Sequence, residues 1–276
     1  MPKFKIVDVG ASFGEFTEHA LITIKDSRVY AIEPNLDILA RGLQSIQLNF
    51  KERVSIHPFA LAESNGLQPF FGSSQINGQI GSLKKFNPKK KWNLYLQETL
   101  KKHELKNSIL VETKTVKDFL IDTKLKKIDF LKIDAQGYDI ELLEEFLKNS
   151  NVKCMVLEVN TTEIEEENIY KSNNNLNSLV AIMYKFKLKI IKIVPHHDFT
   201  ELNVFLAKDC QEGLKILERL KMSDCPSFSR LWSVTVKSNL DSANKITFID
   251  LLNKITRFIF HPVKNSRRII RILINN

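Results

Sequence analysis

The chain has 276 residues, 43% of them hydrophobic, and a formal net charge of +9. That length suits one large α/β domain or one domain with an appendage. The apolar content excludes a disordered protein, and no apolar run is long enough to span a membrane as a helix. The charge is uneven: residues 211–276 hold 12 Lys and Arg against 5 Asp and Glu, the first 210 hold 29 against 27, and a local run, KKFNPKKK, lies at 84–91. Such a run is usually a solvated face, with an anionic partner as the sharper reading.

The N-terminal residues, MPKFKIVDVG, enter a strand at once and carry no signal-peptide pattern. Cys154, Cys210 and Cys225 are odd in number and widely spaced, so neither a disulfide framework nor a zinc pattern is expected. Cys154 and Cys210 read as inert core thiols. A reducing cytoplasm fits these features.

In chain order, FKIVDV leads to a helix near 14–25 and VYAIEP to a helix near 35–50. VSIHPFAL follows, then an irregular stretch at 62–91, a helix near 92–105 and a short strand, ILVET. IDFLKIDA leads to a helix near 138–149, and CMVLEV is the next strand. Continuous apolar strands alternating with amphipathic helices predict a parallel sheet covered on both faces. After a helical segment near 176–186, LKIIKIV and LNVFLA are joined by only PHHDFTE. So short a link predicts an antiparallel hairpin at the sheet edge. The fold class is therefore α/β: a doubly wound, mostly parallel, Rossmann-like sheet with an antiparallel edge hairpin and a C-terminal helical extension. The expected division is a domain over 1–210 and a basic helical extension over 211–276. In that extension GLKILERLKM reads as helix and CPSFSRLW as loop.

The turn after the first strand reads Asp8, Gly10, Gly14. It lacks the third glycine of a dinucleotide fingerprint and the lysine of a phosphate-binding loop, and Glu15 would repel phosphate. A ligand with an ammonium or sulfonium group and no phosphate suits an acid-lined loop. Glu33 falls at the end of the second strand, about 20 residues on, where an acid reaches ribose hydroxyls. Pro34 ends that strand and Asn35 is placed to cap the next helix. In IDFLKIDAQGYDIELLEEF, an apolar strand contains Lys132 and ends on Asp134 at the topological switch point. Asp134 there orients a ligand, takes a proton, holds a metal or caps a helix.

These pieces, in this order, resemble the FkbM family of S-adenosylmethionine-dependent methyltransferases. The matching stretches are VDVGASFGEFT, AIEPN, ETKTVKDFL (112–120), IDFLKIDAQGYDIELLEEF, VLEVN (156–160) and NVFLAKD (203–209). The resemblance covers about residues 4–209. Gln136 stands where the family often has Glu. The resemblance implies a class I methyltransferase fold with S-adenosylmethionine as methyl donor. It implies that Asp8, Gly10, Ala11 and Gly14 wrap the methionine part and that Glu33 holds the ribose. It also implies that Phe59, Ala60 and Leu61 meet the adenine, and that Ser82 and Leu83 lie near the donor. No metal-binding residues are singled out, and the sequence leaves the metal requirement open.

Methyl transfer to an oxygen favours a base that removes its proton. Asp134 is the first candidate and His196 the second. His196, His197 and Asp198 read most simply as a surface loop, with a substrate contact or a metal site as alternatives. Acceptor recognition is expected in the stretch carrying Lys84 and Lys85. The expected acceptor is a sugar or glycan hydroxyl, or another hydroxyl-bearing small molecule. An RNA methyltransferase and a non-catalytic nucleoside-binding scaffold are the alternatives, and nucleic acid is the less favoured partner. Residues 251–276 carry six Lys and Arg and no acid. They read as a segment packed on the protein, with an anionic membrane surface as the alternative. The expected location is therefore the cytoplasm, with a peripheral membrane position as its variant.

Overall fold

The computed structural model describes residues 3–71, 81–85, 108–161, 172–195 and 201–229. The helix expected near 92–105, residues 86–91 of the lysine run, the loop with His196, His197 and Asp198, and the tail from residue 230 lie outside the described residues.

Seven strands form the main sheet: β1 (Phe4–Val9), β2 (Ser27–Ile32), β3 (Val54–His57), β7 (Lys127–Ile133), β8 (Asn151–Asn160), β9 (Lys189–Pro195) and β10 (Glu201–Ala207). Their order is β3-β2-β1-β7-β8-β10-β9. The pairs β1–β2, β1–β7, β2–β3 and β7–β8 are parallel, whereas β10 runs antiparallel to both β8 and β9. The hairpin is where the link length put it. The strand that reverses, however, is the second from the edge: β9 skips one position and β10 folds back into the gap.

The central strands are apolar on both faces because helices cover both. Val7 and Val9 of β1 join one core, with Phe119 of α4 (Val116–Thr123), Phe146 of α5 (Asp139–Asn149) and Leu179 of α6 (Leu176–Phe186). Phe4 and Ile6 join the other, with Phe16 and Leu21 of α1 (Glu15–Thr23), Ile46 of α3 (Leu43–Phe50) and Leu217 of α7 (Cys210–Arg219). The alternation of side chains along a strand divides the two cores.

Four expectations need correction. The single helix near 35–50 is two, α2 (Leu36–Arg41) and α3, broken at Gly42. A Cβ at Gly42 would sit 2.4 Å from the Phe13 carbonyl oxygen, so the turn of the first loop passes directly under the break. VSIHPFAL is divided at Pro58 into β3 and β4 (Ala60–Leu61). β4 leaves the main sheet for a small one, β4-β6-β5, with β5 (Gly66–Phe71) and β6 (Ser108–Lys114). Part of the stretch read as irregular is thus strand. Finally, Pro226–Ser229, read as loop, forms one helical turn, α8.

The described part of the C-terminal segment is packed on the sheet. Ile216, Leu217, Leu220, Met222 and Phe228 are buried in the core that holds Phe16. The Phe228 ring lies 5.4 Å from Phe205 and 6.3 Å from Phe16, centroid to centroid. Arg219 pairs with Asp26, and His19 Nε2 lies 2.7 Å from the Leu220 carbonyl oxygen. No described helix is long and apolar enough to cross a membrane.

Five buried apolar side chains at roughly 1.5–3 kcal/mol each approach the whole stability of a domain. A chain ending after Asp209 should therefore bind a hydrophobic dye and show no cooperative melt. A sharp melt within a few degrees of the full chain would contradict this.

Candidate active site

The site is built where β1, β2 and β7 end. Gly10 follows β1 at φ 70°, a region that favours glycine. A Cβ there would lie 2.0 Å from the Asp134 carbonyl oxygen, so the ends of β1 and β7 touch backbone to backbone. Asp134 N donates to the Val9 carbonyl, and Gly10 N and Ala11 N both donate to the Ile32 carbonyl, each at 3.0 Å. Gly14, at φ 88°, serves packing: a Cβ there would meet Ile46 Cδ1 at 2.4 Å, so its absence lets α1 settle on α3.

Glu33 ends β2 and is buried. Its Oε2 accepts from Ser12 N and its Oε1 from Asn35 N, both at 2.9 Å. It thereby ties the first loop to the start of α2, where Asn35 Oδ1 caps Asp37 N at 3.1 Å. Burial outweighs these two amides and the nearby Lys132, raising its pKa to about 7.

Asp8 is fully buried beneath the loop. Its Oδ2 accepts from Thr17 Oγ1 at 2.7 Å, and its Oδ1 lies 3.2 Å from Lys132 Nζ. Lys132 Nζ also donates to the Gly10 carbonyl at 3.2 Å and lies 3.6 Å from Asp134 Oδ2. Burial opposes the charge on Lys132, but Asp8 and Asp134 prevail and hold its pKa above the usual lysine range.

Asp134 is the more exposed member, with 40% of its side-chain surface accessible. Its Oδ1 accepts from Gln136 Nε2 at 2.8 Å. The loop beyond it is held at both ends. Asp139 Oδ1 accepts from Ala135 N at 3.2 Å, and Oδ2 from Gly137 N at 3.0 Å and Asn174 Nδ2 at 3.2 Å. Burial, reinforced by Asp134, raises the Asp139 pKa to about 7. Ser82 Oγ donates to the Gln136 carbonyl at 2.6 Å and accepts from Lys84 N at 2.9 Å.

Two cavities flank this junction. The first, about 70 Å³, is lined by the end of β1 with Ser12, by Glu33 and Pro34, by Ala60, Leu61 and Phe70, and by Asp134 to Gln136 with Tyr138 and Leu142. The second, about 240 Å³, is lined by Gly10 to Phe13, Glu15, Phe16, Lys132 and Asp134. Gly10, Ser12 and Asp134 line both.

Of the residues singled out from sequence, Gly10, Glu33, Ala60, Leu61, Leu83 and Asp134 line the first cavity, and Gly10, Ala11 and Asp134 the second. Asp8, Gly14, Phe59 and Ser82 line neither. The Phe59 ring turns to His57 and Phe119, at 5.6 and 6.4 Å. Lys84 is committed to Glu141 at 3.2 Å and to the Tyr138 ring at 4.1 Å, while Lys85 is exposed. His196 lies outside the described residues. Sequence reasoning gave no role to Asp139 or Tyr138, and none to Lys132. A lysine inside an apolar strand was itself the signal for Lys132. Among the described residues no group of three or more His, Cys, Asp or Glu is placed to hold a metal.

Residues 8–212 match the model of the methyltransferase FkbM domain. The chain belongs to the FkbM methyltransferase family. No curated protein matches it in sequence. Similar solved structures include fibrillarin of Aeropyrum pernix with natively bound S-adenosyl-L-methionine (10% identity, 75% of this chain and 69% of that one, TM-score 0.40). Another is a SAM-dependent methyltransferase from Aquifex aeolicus (12%, 75% and 82%, 0.38). A third is magnesium protoporphyrin IX methyltransferase from Synechocystis with bound SAH (7%, 75% and 75%, 0.42). By its family match the chain is an S-adenosylmethionine-dependent methyltransferase, and its own doubly wound sheet is of the Rossmann-like class. The residues present suit that donor: a glycine that admits a close approach at the strand ends, a buried acid at the end of β2, and, among the described residues, no basic side chain lining the first cavity.

A ribose hydroxyl donating to Glu33 needs the carboxylate form, whereas the free protein holds that group near pKa 7. Affinity for S-adenosylhomocysteine should be full at pH 8 and fall about tenfold by pH 6, since each pH unit below the pKa costs a factor of ten. Asp139 titrates in the same window and acts in the same direction. Calorimetry giving a flat profile from pH 8 to 6 would remove Glu33 from the donor contacts.

Proposed function

We propose that this FkbM protein methylates a hydroxyl oxygen of a sugar or glycan, with Asp134 as the base. The observation that carries the reading is the charge of the second cavity. Glu15 and Asp134 face it, and its one cation among the described residues, Lys132, is already engaged by Asp8. A wall of that kind opposes a phosphate-bearing acceptor and accepts hydrogen bonds from a neutral polyhydroxyl one. The net charge of +9 is the feature that favours nucleic acid, but much of it lies in residues 211–276, outside this cavity.

The donor supplies a methyl group on a positively charged sulfur. The protein's own contribution is positional: the loop at 10–14 and the loop at 134–138 are fixed to each other and to Glu33, so two substrates meet over Gly10 and Asp134. In this reading Gly10, Ala11 and Glu33 touch the donor, and Ala60 and Leu61 line its apolar end. Asp8, Gly14 and Ser82 act from beneath by holding the loops. Asp134 Oδ2 is the oxygen that takes the acceptor proton, since Oδ1 is held by Gln136.

The test is methyl transfer from labelled donor to a panel of neutral saccharides, acidic saccharides and RNA. Methyl ether formation on a neutral saccharide is expected, and label incorporated only into RNA would overturn the reading. Asp134→Asn should bind S-adenosylhomocysteine within about threefold of wild type and lose about 100-fold or more in kcat, the usual loss for a general base. Turnover within threefold of wild type would leave Asp134 as an anchor of its loop.

A further inference from the structure

Lys132 is a buried ammonium with three N–H groups, and three acceptors face it: Asp8 Oδ1 at 3.2 Å, the Gly10 carbonyl at 3.2 Å and Asp134 Oδ2 at 3.6 Å. The first two lie within hydrogen-bond distance, and the third, to Asp134, is an ion pair at longer range. Two carboxylates and one ammonium leave the cluster with one net negative charge. Asp134, its exposed member, lines both cavities.

The two forms of the cofactor differ by one charge. S-adenosylmethionine carries a sulfonium, and S-adenosylhomocysteine, left after transfer, carries a neutral thioether. A site with one net negative charge favours the first over the second by coulombic attraction alone. We infer that Lys132 is a specificity-determining residue that sets the preference of this enzyme for its charged donor over its neutral product by fixing the cluster at one net negative charge. Without the ammonium, Asp8 and Asp134 would attract the sulfonium with up to two charges, fully so only at a pH where the buried Asp8 stays ionised. Without Asp8, the cluster would be neutral and the preference would shrink.

A structural role for Lys132 would weaken both ligands in proportion, so the ratio of their affinities separates the two accounts. The measurement is the Kd of S-adenosylmethionine and of S-adenosylhomocysteine, by calorimetry at pH 8, for four full-length proteins. Glu15, Glu33 and Asp139, the other ionisable groups near the cluster, are present in all four, and because Lys132 lowers and Asp8 raises the Glu33 pKa the series is repeated at pH 9, where Glu33 stays ionised. Relative to wild type, Lys132→Met should raise the preference for S-adenosylmethionine on the order of tenfold, the effect of one unit charge at about 10 Å and an effective permittivity of about 20. Asp8→Asn should lower it by a similar factor. The double variant Lys132→Met with Asp8→Asn again has one net charge and should return the ratio to within about twofold of wild type, whatever its absolute affinities. If the single lysine variant does not fold, the Asp8→Asn and double variants decide. Ratios that stay within twofold of wild type in both single variants, or in whichever folds, would overturn the inference.

Discussion

The burial of one ammonium between two strand ends is the constraint on which the site depends. Lys132 leaves β7 with its side chain under the loop after β1, and its Nζ reaches Asp8 on β1 and the carbonyl of Gly10. Taking charges from water is costly, and a buried pair seldom adds net stability, but leaving one partner alone costs about 3–5 kcal/mol. The chain therefore adopts the one arrangement in which all members meet. That arrangement brings Gly10 against the Asp134 carbonyl and fixes the crevice between the two loops.

From this junction the other contacts follow outward. Glu33 takes the amide of Ser12 in the first loop and that of Asn35 at the start of α2, and Asp139 takes those of Ala135 and Gly137. Both carboxyls are buried and both are pushed to about 7. A fold that only needed stability would place neither acid there, because burial opposes the charge each needs to accept two amides. Their positions are better explained by what they hold: two loops at the carboxyl ends of parallel strands, where ligands of doubly wound sheets bind. Ser82 adds a third restraint from the small sheet by bonding the Gln136 carbonyl.

Much of this was legible in the sequence because its cause is local. Apolar runs such as FKIVDV and IDFLKI are strands buried on both faces, and the short link before LNVFLA left a hairpin as the simple solution. Glu33 could be placed from its distance beyond the glycines. What was not legible depends on contacts between distant residues. The break at Gly42 comes from Phe13, and the small sheet pairs Gly66–Phe71, which contains Pro69 and an exposed Leu67, with a strand about 40 residues on. Asp8 reads as a loop acid that faces a ligand, yet its partners are Thr17 and Lys132, and only the fold shows that it is sealed. Asp139 looks like one of several acids opening a helix; its burial comes from Asn174 and the turn above it.

The central claim is that the crevice over Gly10, Glu33 and Asp134 holds the donor. A crystal structure of the protein with S-adenosylhomocysteine tests it most directly. The account predicts ribose hydroxyls within about 3 Å of the Glu33 carboxylate. It also predicts the base between the Ala60–Leu61 strand and Tyr138, and the sulfur beside Gly10 and Asp134. Density for the nucleoside away from Glu33, with the crevice filled only by water, would contradict it.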